Sequence, residues 1–250
     1  MLLIVDCDGT VSRIKNPFYA VANELSCYAE IRDYADRYLN GHMPYDELVT
    51  RQNLVFREAG RRYANDHGYG KLGPSLFNQV LGGLIGDRCV SPPMVEFLNG
   101  VHHSGYHIAM ISSGWDVVIS RAAQETHIAY WRANGVLFID GEFAGTIVRV
   151  RADKTAEFDS AVCAFATTYP HVSYLGDSAF DLIGMEFIHR RGGDCFVHED
   201  SAREPDVHFP AYVTHFSSFA HMGEHLQSRM DALNRAHGVL LGPGGRRAEP

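Results

Sequence analysis

Carboxylates, hydroxyls and one lysine occur in four separate clusters of the sequence. The first cluster is Asp6-Cys7-Asp8-Gly9-Thr10, in which two carboxylates are two residues apart. One carboxylate could bind a hard cation and attack phosphorus, while the other passes a proton to the leaving oxygen. Gly9 and Thr10 would supply a tight turn and backbone N–H groups. A simple turn after a strand explains the same residues, so this cluster alone does not establish catalysis.

Two further clusters could bind the oxygens of a phosphate. Ser112-Ser113-Gly114 follows an apolar run, and a hydroxyl with free N–H groups at a helix start binds phosphate oxygens. Lys154 lies near the start of a predicted helix, where it could neutralise a phosphoryl group. Taken singly, the serines would be interpreted as a helix N-cap and the lysine as a solvated surface residue.

The fourth cluster is Gly176-Asp177-Ser178-Ala179-Phe180-Asp181, in which two carboxylates are four residues apart. With Asp6, these carboxylates would form the anionic, oxygen-rich environment that Mg²⁺ requires. A helix N-terminus stabilised by acidic side chains is the alternative interpretation.

The predicted elements place the four clusters at comparable positions. Short apolar runs predict strands at 2–5, 107–111, 172–175 and 194–197, and Asp140-Gly141 predicts a hairpin between 136–139 and 146–150. Helical spacing predicts helices at 153–168 and 179–187 and a terminal helix that stops at Gly238. This alternation predicts an α/β fold with a doubly wound, Rossmann-like parallel sheet. Because the carboxyl ends of parallel strands converge on one crevice, the clusters could meet there.

The pattern changes between the first strand and residue 90. Residues 12–89 show helical spacing without strand signals, which predicts an all-helical insertion. The predicted domains are therefore a core at 1–11 and 90–241 and an inserted helical cap at 12–89. The tail at 242–250 is predicted to be disordered.

Composition excludes several classes of function. The 250 residues carry a formal net charge of -8, which argues against general binding of nucleic acid. The sequence contains no apolar run long enough to span a membrane and no signal peptide. Its five scattered cysteines lack metal-binding spacing and predict free thiols in a reducing cytoplasm. Nothing in it specifies an oligomeric state.

The four clusters, in this order, resemble the pattern of the haloacid dehalogenase superfamily. That pattern is DxDGT, then Ser or Thr after an apolar strand, then Lys, then GDxxxD. The corresponding elements here are DCDGT, IAMISSG, Lys154 and GDSAFDL, which cover about 1–11 and 90–200. Residues 12–89 match the position of that family's helical cap. The stretch ANGVLFIDGEFAGT at 133–146 is similar to the segment before the lysine in phosphoserine-phosphatase-like members.

The resemblance implies a Mg²⁺-dependent phosphomonoesterase that acts on a small phosphate ester. Asp6 would be the nucleophile that forms an aspartyl-phosphate, and Asp8 would protonate the leaving group and then activate water. The Mg²⁺ ligands would be the Asp6 carboxylate, the Asp8 carbonyl and Asp177, with Asp181 as a ligand or an anchor behind the ligands. The phosphate-binding residues would be Gly9, Thr10, Ser112, Ser113, Gly114 and Lys154.

The cap is expected to select the substrate. Phosphoserine phosphatases carry a cap glutamate shortly after DxDGT, whereas this chain has Arg13 and Lys15 there, and it has Phe180 where those enzymes carry Asn. Together with Arg51, these cations favour an anionic or polyhydroxyl leaving group. Candidate substrates are phosphoserine, a methylthio-sugar phosphate, a sugar phosphate and a nucleoside monophosphate.

Two alternatives remain open. A phosphotransferase or mutase could use the same core, and a non-catalytic binding protein could keep the fold. The acid at Asp8 argues against cleavage of carbon–halogen bonds, because family members with that activity lack an acid at this position. A binding protein would have no physical need for the full set of polar clusters.

Overall fold

The computed structural model describes residues 1–199 and 207–236, whose strands form one seven-stranded sheet. The strands are β1 (Leu2–Val5), β2 (His107–Trp115), β3 (Tyr130–Ile139), β4 (Glu142–Ile147), β5 (Val172–Leu175), β6 (Asp194–His198) and β7 (Val213–Phe216). Their order across the sheet is β4-β3-β2-β1-β5-β6-β7. The β3–β4 pair is antiparallel, and the other neighbouring pairs are parallel. The predicted α/β class with a mostly parallel sheet is confirmed.

Helices cover both faces of this sheet. After β1 come α1 (Pro17–Glu24), α2 (Tyr28–Leu39), α3 (Tyr45–Asp66), α4 (Pro74–Ile85), α5 (Pro92–His103), α6 (Asp116–Thr126), α7 (Thr155–Ala164), α8 (Asp181–Arg190) and α9 (Phe219–Ala236). No helix in 1–199 or 207–236 is long and apolar enough to cross a membrane. All five cysteines are free thiols.

The central strand β1 shows why the sheet is covered on both sides. Its four apolar residues are fully buried and alternate between two clusters. Leu3 and Val5 belong to the cluster that includes apolar residues of α5, α6 and α9, whereas Leu2 and Ile4 belong to the cluster with α7 and α8. A strand buried on both faces needs a continuous apolar run, which the LLIV sequence supplies.

Residues 12–89 contain α1 to α4 and add no strand to the sheet. Asn16 begins α1 by accepting a hydrogen bond from the Tyr19 N–H at 3.0 Å, and Pro17 occupies the first turn. The chain leaves and re-enters the core side by side, because the Arg13 N–H donates to the Cys89 carbonyl at 2.8 Å. The assignment of 12–89 as a separate cap domain remains a prediction.

Helix α3 packs against the edge strand β4. The Asn53 side chain donates to the Thr146 carbonyl at 3.1 Å and accepts from the Thr146 N–H at 2.7 Å, so it pairs with both backbone groups of that residue. Arg61 adds a two-pronged ion pair to Glu142, with contacts of 2.6 and 2.8 Å. The insertion is therefore joined firmly to the hairpin on this side.

Several predicted bounds were wrong. Strand β2 continues past Ile111 to Trp115, through a shift in register against β3. Strand β3 begins at Tyr130 rather than 136, because its first residues pair with β2 before the hairpin starts. Strand β4 lies at Glu142–Ile147 instead of 146–150, and β7 was not predicted. Gly238 and the tail at 242–250 lie outside the described residues.

Candidate active site

The carboxyl ends of β1, β2 and β5 border a cavity of about 300 Å³. Each of the four sequence clusters contributes to its wall, because parallel neighbouring strands end at the same edge. Helices α1, α2 and α3 close the opposite side. The polar core residues that line the cavity are Asp6, Asp8, Ser112, Ser113, Thr146, Lys154, Asp177 and Ser178.

Lys154 is the cation at the centre of the core side of this cavity. Its ammonium donates to Asp6 Oδ1 at 2.6 Å, to Asp181 Oδ1 at 2.6 Å and to the Tyr174 hydroxyl at 2.9 Å. The side chain is only 2% exposed, so it is not the solvated surface residue of the alternative interpretation. Its backbone is left-handed, with φ of 57°, at the start of α7. That conformation costs roughly 1–2 kcal/mol in a residue with a side chain, and the three hydrogen bonds offset this cost.

Asp181 is fully buried, and both of its carboxylate oxygens are occupied. Oδ1 faces the Lys154 ammonium, while Oδ2 accepts from the N–H groups of Asp177 and Ser178 at 3.1 and 3.0 Å. The Ser178 hydroxyl adds a third bond to Oδ2 at 2.8 Å. Asp181 is therefore arranged to hold the loop after β5 and to position Lys154.

The Asp8 carboxylate has fewer hydrogen-bond partners than the Asp181 carboxylate. The Ser112 hydroxyl donates to Asp8 Oδ2 over a long 3.5 Å, and Asp8 Oδ1 is buried with no hydrogen-bond partner among the described residues. Gly114 lies so close to this carboxylate that a Cβ there would be 1.8 Å from Asp8 Oδ2. Only glycine fits that position while the Asp8 carboxylate keeps its place.

Asp177 is held beside Asp6 by the first cluster. The Thr10 hydroxyl donates to Asp177 Oδ1 at 2.5 Å, so the structure gives Thr10 a carboxylate partner rather than an open position for phosphate. Gly9 has φ of +83°, and a Cβ on it would meet Asp177 Oδ2 at 2.4 Å. The turn of the first cluster thus needs glycine both for its backbone and for this close approach.

Burial sets the protonation of these acids. Desolvation raises the pKa of Asp6 to about 6, against the lowering effect of Lys154. Burial, then the charge of Asp6, raises the pKa of Asp8 well above its usual range, and burial with the neighbouring acids does the same for Asp177. Asp181 differs because, although burial opposes it, the Lys154 charge lowers its pKa below the usual value.

A cation fits among these acids. Carboxylate oxygens of Asp6, Asp177 and Asp181 lie within 4.8 Å of one another, and Asp8 Oδ1 is an unpartnered buried acceptor nearby. Burial, with the neighbouring acid Asp181, raises the pKa values of Asp6 and Asp177, so ionising both carboxyls costs free energy that a bound cation would offset. A donor set made only of oxygens suits Mg²⁺ rather than zinc.

Not every predicted residue reaches the cavity. Lys15 and Phe180 line it, and Phe180 also stacks on Tyr38 of α2 with ring centroids 5.9 Å apart. Arg13 instead lines a separate, more open cavity. Arg51 does not line the active-site cavity either, because its guanidinium extends over the surface of α3 to Glu47 at 3.4 Å.

The sequence did not single out several residues of the site. Tyr174 occupies an apolar position of β5, so no signal distinguished its buried hydroxyl from an ordinary core tyrosine. The helical insertion also contributes polar residues from partly polar helices, whose periodicity does not favour one face over another. These residues are Asn16, Tyr19, Arg32, Tyr45 and Gln52.

Comparison with known proteins is consistent with this site. No protein-family model matches the chain. A phosphoserine phosphatase of Streptococcus thermophilus is 23% identical over 184 residues, which cover 72% of this chain and 77% of that protein.

Solved structures share the fold. A phospho-aspartyl intermediate analogue of phosphoserine phosphatase aligns with a TM-score of 0.61 at 15% identity, covering 79% of this chain and 85% of that one. A phosphoserine phosphatase from T. onnurineus aligns with a TM-score of 0.60 at 14% identity, covering 90% and 94%. The resemblance to haloacid dehalogenase phosphatases seen in the motifs is thus confirmed at the level of the fold.

Proposed function

We propose that this chain is a phosphoric monoester hydrolase that requires Mg²⁺ and works through a phosphoryl group carried on Asp6. The observation that carries the proposal is the contrast between two carboxylates in one closed cavity. Asp6 is oriented by Lys154, whereas Asp8 keeps a buried oxygen without a partner. This is the division expected between a fixed nucleophile and an acid that exchanges protons with the substrate.

The first half-reaction transfers the phosphoryl group to the protein. An Asp6 carboxylate oxygen attacks phosphorus, and the bond from phosphorus to the ester oxygen breaks. Asp8 gives its proton to that oxygen, so the leaving group departs as a neutral alcohol. The raised pKa of Asp8, caused by burial and by the Asp6 charge, keeps the proton available near neutral pH.

The second half-reaction returns the protein to its starting state. Asp8, now a carboxylate, takes a proton from a water molecule that attacks the aspartyl-phosphate. Inorganic phosphate leaves, Asp6 regains its carboxylate, and Asp8 regains its proton. The same residue serves as acid and then as base because donating its proton in the first step leaves it as the carboxylate that the second step needs.

Two fixed side chains would stabilise the negative charge on the phosphoryl group while it is transferred. The Ser112 hydroxyl and the Lys154 ammonium both lie on the cavity wall, next to Asp8 and Asp6 respectively. Preorganised donors of this kind lower the barrier because they need no reorientation as charge develops. Asp181 supports Lys154 from behind and is assigned as a positioning residue.

The Asp6 carboxylate, the Asp8 backbone carbonyl and Asp177 would hold the Mg²⁺ ion. When bound, the ion would neutralise negative charge between these acids and the phosphate. Residues 12–89 would act as a cap over the leaving group, since α1, α2 and α3 supply the wall opposite the acids. Such a cover excludes bulk water while the ester is bound.

The direct test is release of inorganic phosphate from p-nitrophenyl phosphate, with Mg²⁺ and with EDTA. A hydrolase releases phosphate and p-nitrophenol in equal amounts, and only with the metal. A phosphotransferase given an acceptor alcohol would release p-nitrophenol in excess over phosphate. A binding protein would release neither, and that result would refute the proposal.

A further inference from the structure

Apolar side chains form part of the wall that faces the leaving group, beside the polar side chains of the insertion. Phe18 of α1, Leu48 and Val49 of α3, and Phe180 from the core line the cavity around its opening towards the cap. They leave a volume of about 300 Å³, at the small end of the range for small-molecule sites.

The charged side chains that the helical insertion contributes to this wall are Lys15 and Arg32. Arg32 Nε donates to both carboxylate oxygens of Asp36, at 2.9 and 3.1 Å, which fixes the guanidinium on α2. The guanidinium carbon also lies 5.7 Å from the Tyr19 ring centre. Arg32 also has a side-chain hydrogen bond with Tyr28, and its side chain is 43% exposed. A guanidinium has five N–H donors, so these contacts leave donors for a ligand.

The uncharged polar group next to these cations is a donor as well. Asn16 uses its amide oxygen to accept from the Tyr19 N–H, which leaves its NH₂ group for the cavity. Among the described residues of 12–89, no Asp or Glu lines the cavity. Asp36 itself is held by Arg32 and is not part of the wall.

We infer that the cavity selects phosphate monoesters whose leaving group carries a carboxylate or carbonyl oxygen and no ammonium, with Arg32 as the group that binds this oxygen. The inference rests on the proposed function and narrows its substrate class. An acceptor oxygen would find donors on the cap side, whereas an ammonium would face two cations with no acid from the cap to bind it. Repulsion of that kind rejects a ligand as effectively as a steric clash.

A matched pair of esters tests the selection. 3-Phosphoglycerate and O-phosphoserine share a carboxylate, a primary phosphate ester and nearly the same shape, and differ by hydroxyl against ammonium. We expect kcat/KM for 3-phosphoglycerate to exceed that for O-phosphoserine by about tenfold or more, as one unfavourable charge contact of ~1.4 kcal/mol would give. Equal values, or a preference for O-phosphoserine, would overturn the inference.

A second comparison tests Arg32. Arg32→Gln should lower kcat/KM for 3-phosphoglycerate about 10- to 100-fold, mainly through KM, because a charged hydrogen bond is worth ~1.5–3 kcal/mol. The loss should be smaller for glycerol 2-phosphate, which has no carboxylate. Equal losses for both esters would mean that Arg32 acts on the fold and not on the carboxylate.

Arg37→Gln is the matched control. Arg37 is on the same helix, has the same type of ion pair four residues away, with Asp33 at 4.0 Å, and does not line the cavity. Its substitution should leave both kcat/KM values unchanged. A loss equal to that of Arg32→Gln would refute the specific assignment.

A measurement of ligand affinity tests the proposed selection independently of the proposed hydrolase activity. If the wild-type protein released no phosphate from any ester, including p-nitrophenyl phosphate, the hydrolase proposal would fail. Calorimetry with Asp6→Asn and Mg²⁺ would still compare the affinities of 3-phosphoglycerate and O-phosphoserine without turnover. Tighter binding of 3-phosphoglycerate would support the selection, and tighter binding of O-phosphoserine would contradict it.

Discussion

Asp6 and Asp8 share a turn but differ in what holds them. Asp6 receives a 2.6 Å hydrogen bond from Lys154, which fixes the direction of its carboxylate. Asp8 has a single long contact with Ser112 and an unpartnered oxygen. Two chemically identical side chains are therefore prepared for different steps, and their substitutions should have different consequences.

We expect Asp6→Asn to abolish turnover, because an amide is a weak nucleophile and the metal would lose a charged ligand. Asp8→Asn should slow turnover by about 10²- to 10⁴-fold, the usual effect of removing a general acid or base. The second step should suffer most, since water attack on the aspartyl-phosphate would lack its base. With a good leaving group such as p-nitrophenol, Asp8→Asn should give a burst followed by slow release.

Rapid-quench kinetics and intact-protein mass spectrometry would measure these differences. A phosphorylated protein should accumulate with Asp8→Asn and should be absent with Asp6→Asn. Hydrolysis at the wild-type rate by Asp8→Asn, or a phosphoenzyme formed by Asp6→Asn, would contradict the division of labour.

Replacing Lys154 should lower both the free energy of unfolding and the rate of catalysis. Lys154→Met would leave the buried carboxylates of Asp6 and Asp181 facing each other without their shared cation. Breaking a buried pair in this way costs ~3–5 kcal/mol, so chemical denaturation should show a large loss.

Lys71→Met provides the control for this substitution. Lys71 donates to the Asp140 carbonyl from an exposed position, so its loss should change the free energy of unfolding by less than about 1 kcal/mol. Similar losses for both variants would show that the buried triad adds nothing beyond an ordinary surface contact.

At the scale of elements, the two sides of the helical insertion are joined to the core differently. Helix α3 is tied to β4 by the paired hydrogen bonds of Asn53 and the ion pair of Arg61. Helix α2 contacts the core through the Tyr38–Phe180 ring stack, with ring centroids 5.9 Å apart. A single ring stack is a weaker attachment than the paired hydrogen bonds of Asn53, so any opening of the cavity should occur on the α2 side.

We expect Asn53→Ala to destabilise the protein by ~1–3 kcal/mol. The substitution leaves the N–H and carbonyl of Thr146 without their partner in a half-buried position. Urea denaturation would measure it, with Asn40→Ala as the control, since Asn40 makes one exposed hydrogen bond to a helix carbonyl. A loss no larger than that of Asn40→Ala would argue against the α3–β4 attachment.

The strand-end clusters could be predicted from the sequence because apolar runs mark buried strands, and parallel strands end together. The residues that the helical insertion contributes to the site could not be predicted from the sequence. Helix α3 carries apolar residues on two faces, at Leu48 and Val55 on one and at Leu54 on another, so its rotation about its axis is ambiguous from the sequence. One residue of helix, about 100°, separates the exposed Arg51 from Gln52 on the cavity wall. Only the packing of α3 on β4 decides between them.

The contact between Tyr174 and Lys154 could not be predicted from the sequence either. In the strand Tyr174 is one more large apolar residue, and its contact with Lys154 joins residues 20 positions apart in the chain. Periodicity carries no information about such a pairing.

For the whole molecule, the active site is a source of instability. Asp6, Asp8 and Asp177 are acids placed together in a largely buried region, and burial is the main cause of their raised pKa values. We expect Asp177→Asn to raise the melting temperature in EDTA by a few degrees, since it removes a buried acid whose ionisation is disfavoured and its amide oxygen can still accept from Thr10. The same variant should lose the stabilisation that Mg²⁺ gives the wild-type protein. Calorimetric scans with EDTA and with Mg²⁺ would show both effects, and a lower melting temperature in EDTA would contradict the first.

The pH dependence follows from the same acids. The pKa of Asp6 is about 6 in the folded protein against a usual value of 3.8, so the folded state binds more protons between these values. Its contribution to stability is fully present below pH 3.8 and is lost as the pH rises through about 6. Mg²⁺ competes with those protons, so we expect the metal to raise the melting temperature more at pH 8 than at pH 5. An equal shift at both pH values would exclude this coupling.

The two ends of the insertion lie side by side at its base, which has a consequence for how this chain can be connected. Ser12 and Val90 are bridged, so a peptide of a few residues could join them and leave the order of the sheet unchanged. In terms of connectivity, residues 12–89 could have been acquired by a single insertion into a gene for a smaller sheet protein. The insertion does not pack separately from the core, because Phe56 and Phe77 of the insertion belong to the same apolar cluster as Trp115 and Phe143 of the core. A graft of another protein's insertion at this point would therefore succeed only if it brought a matching aromatic surface.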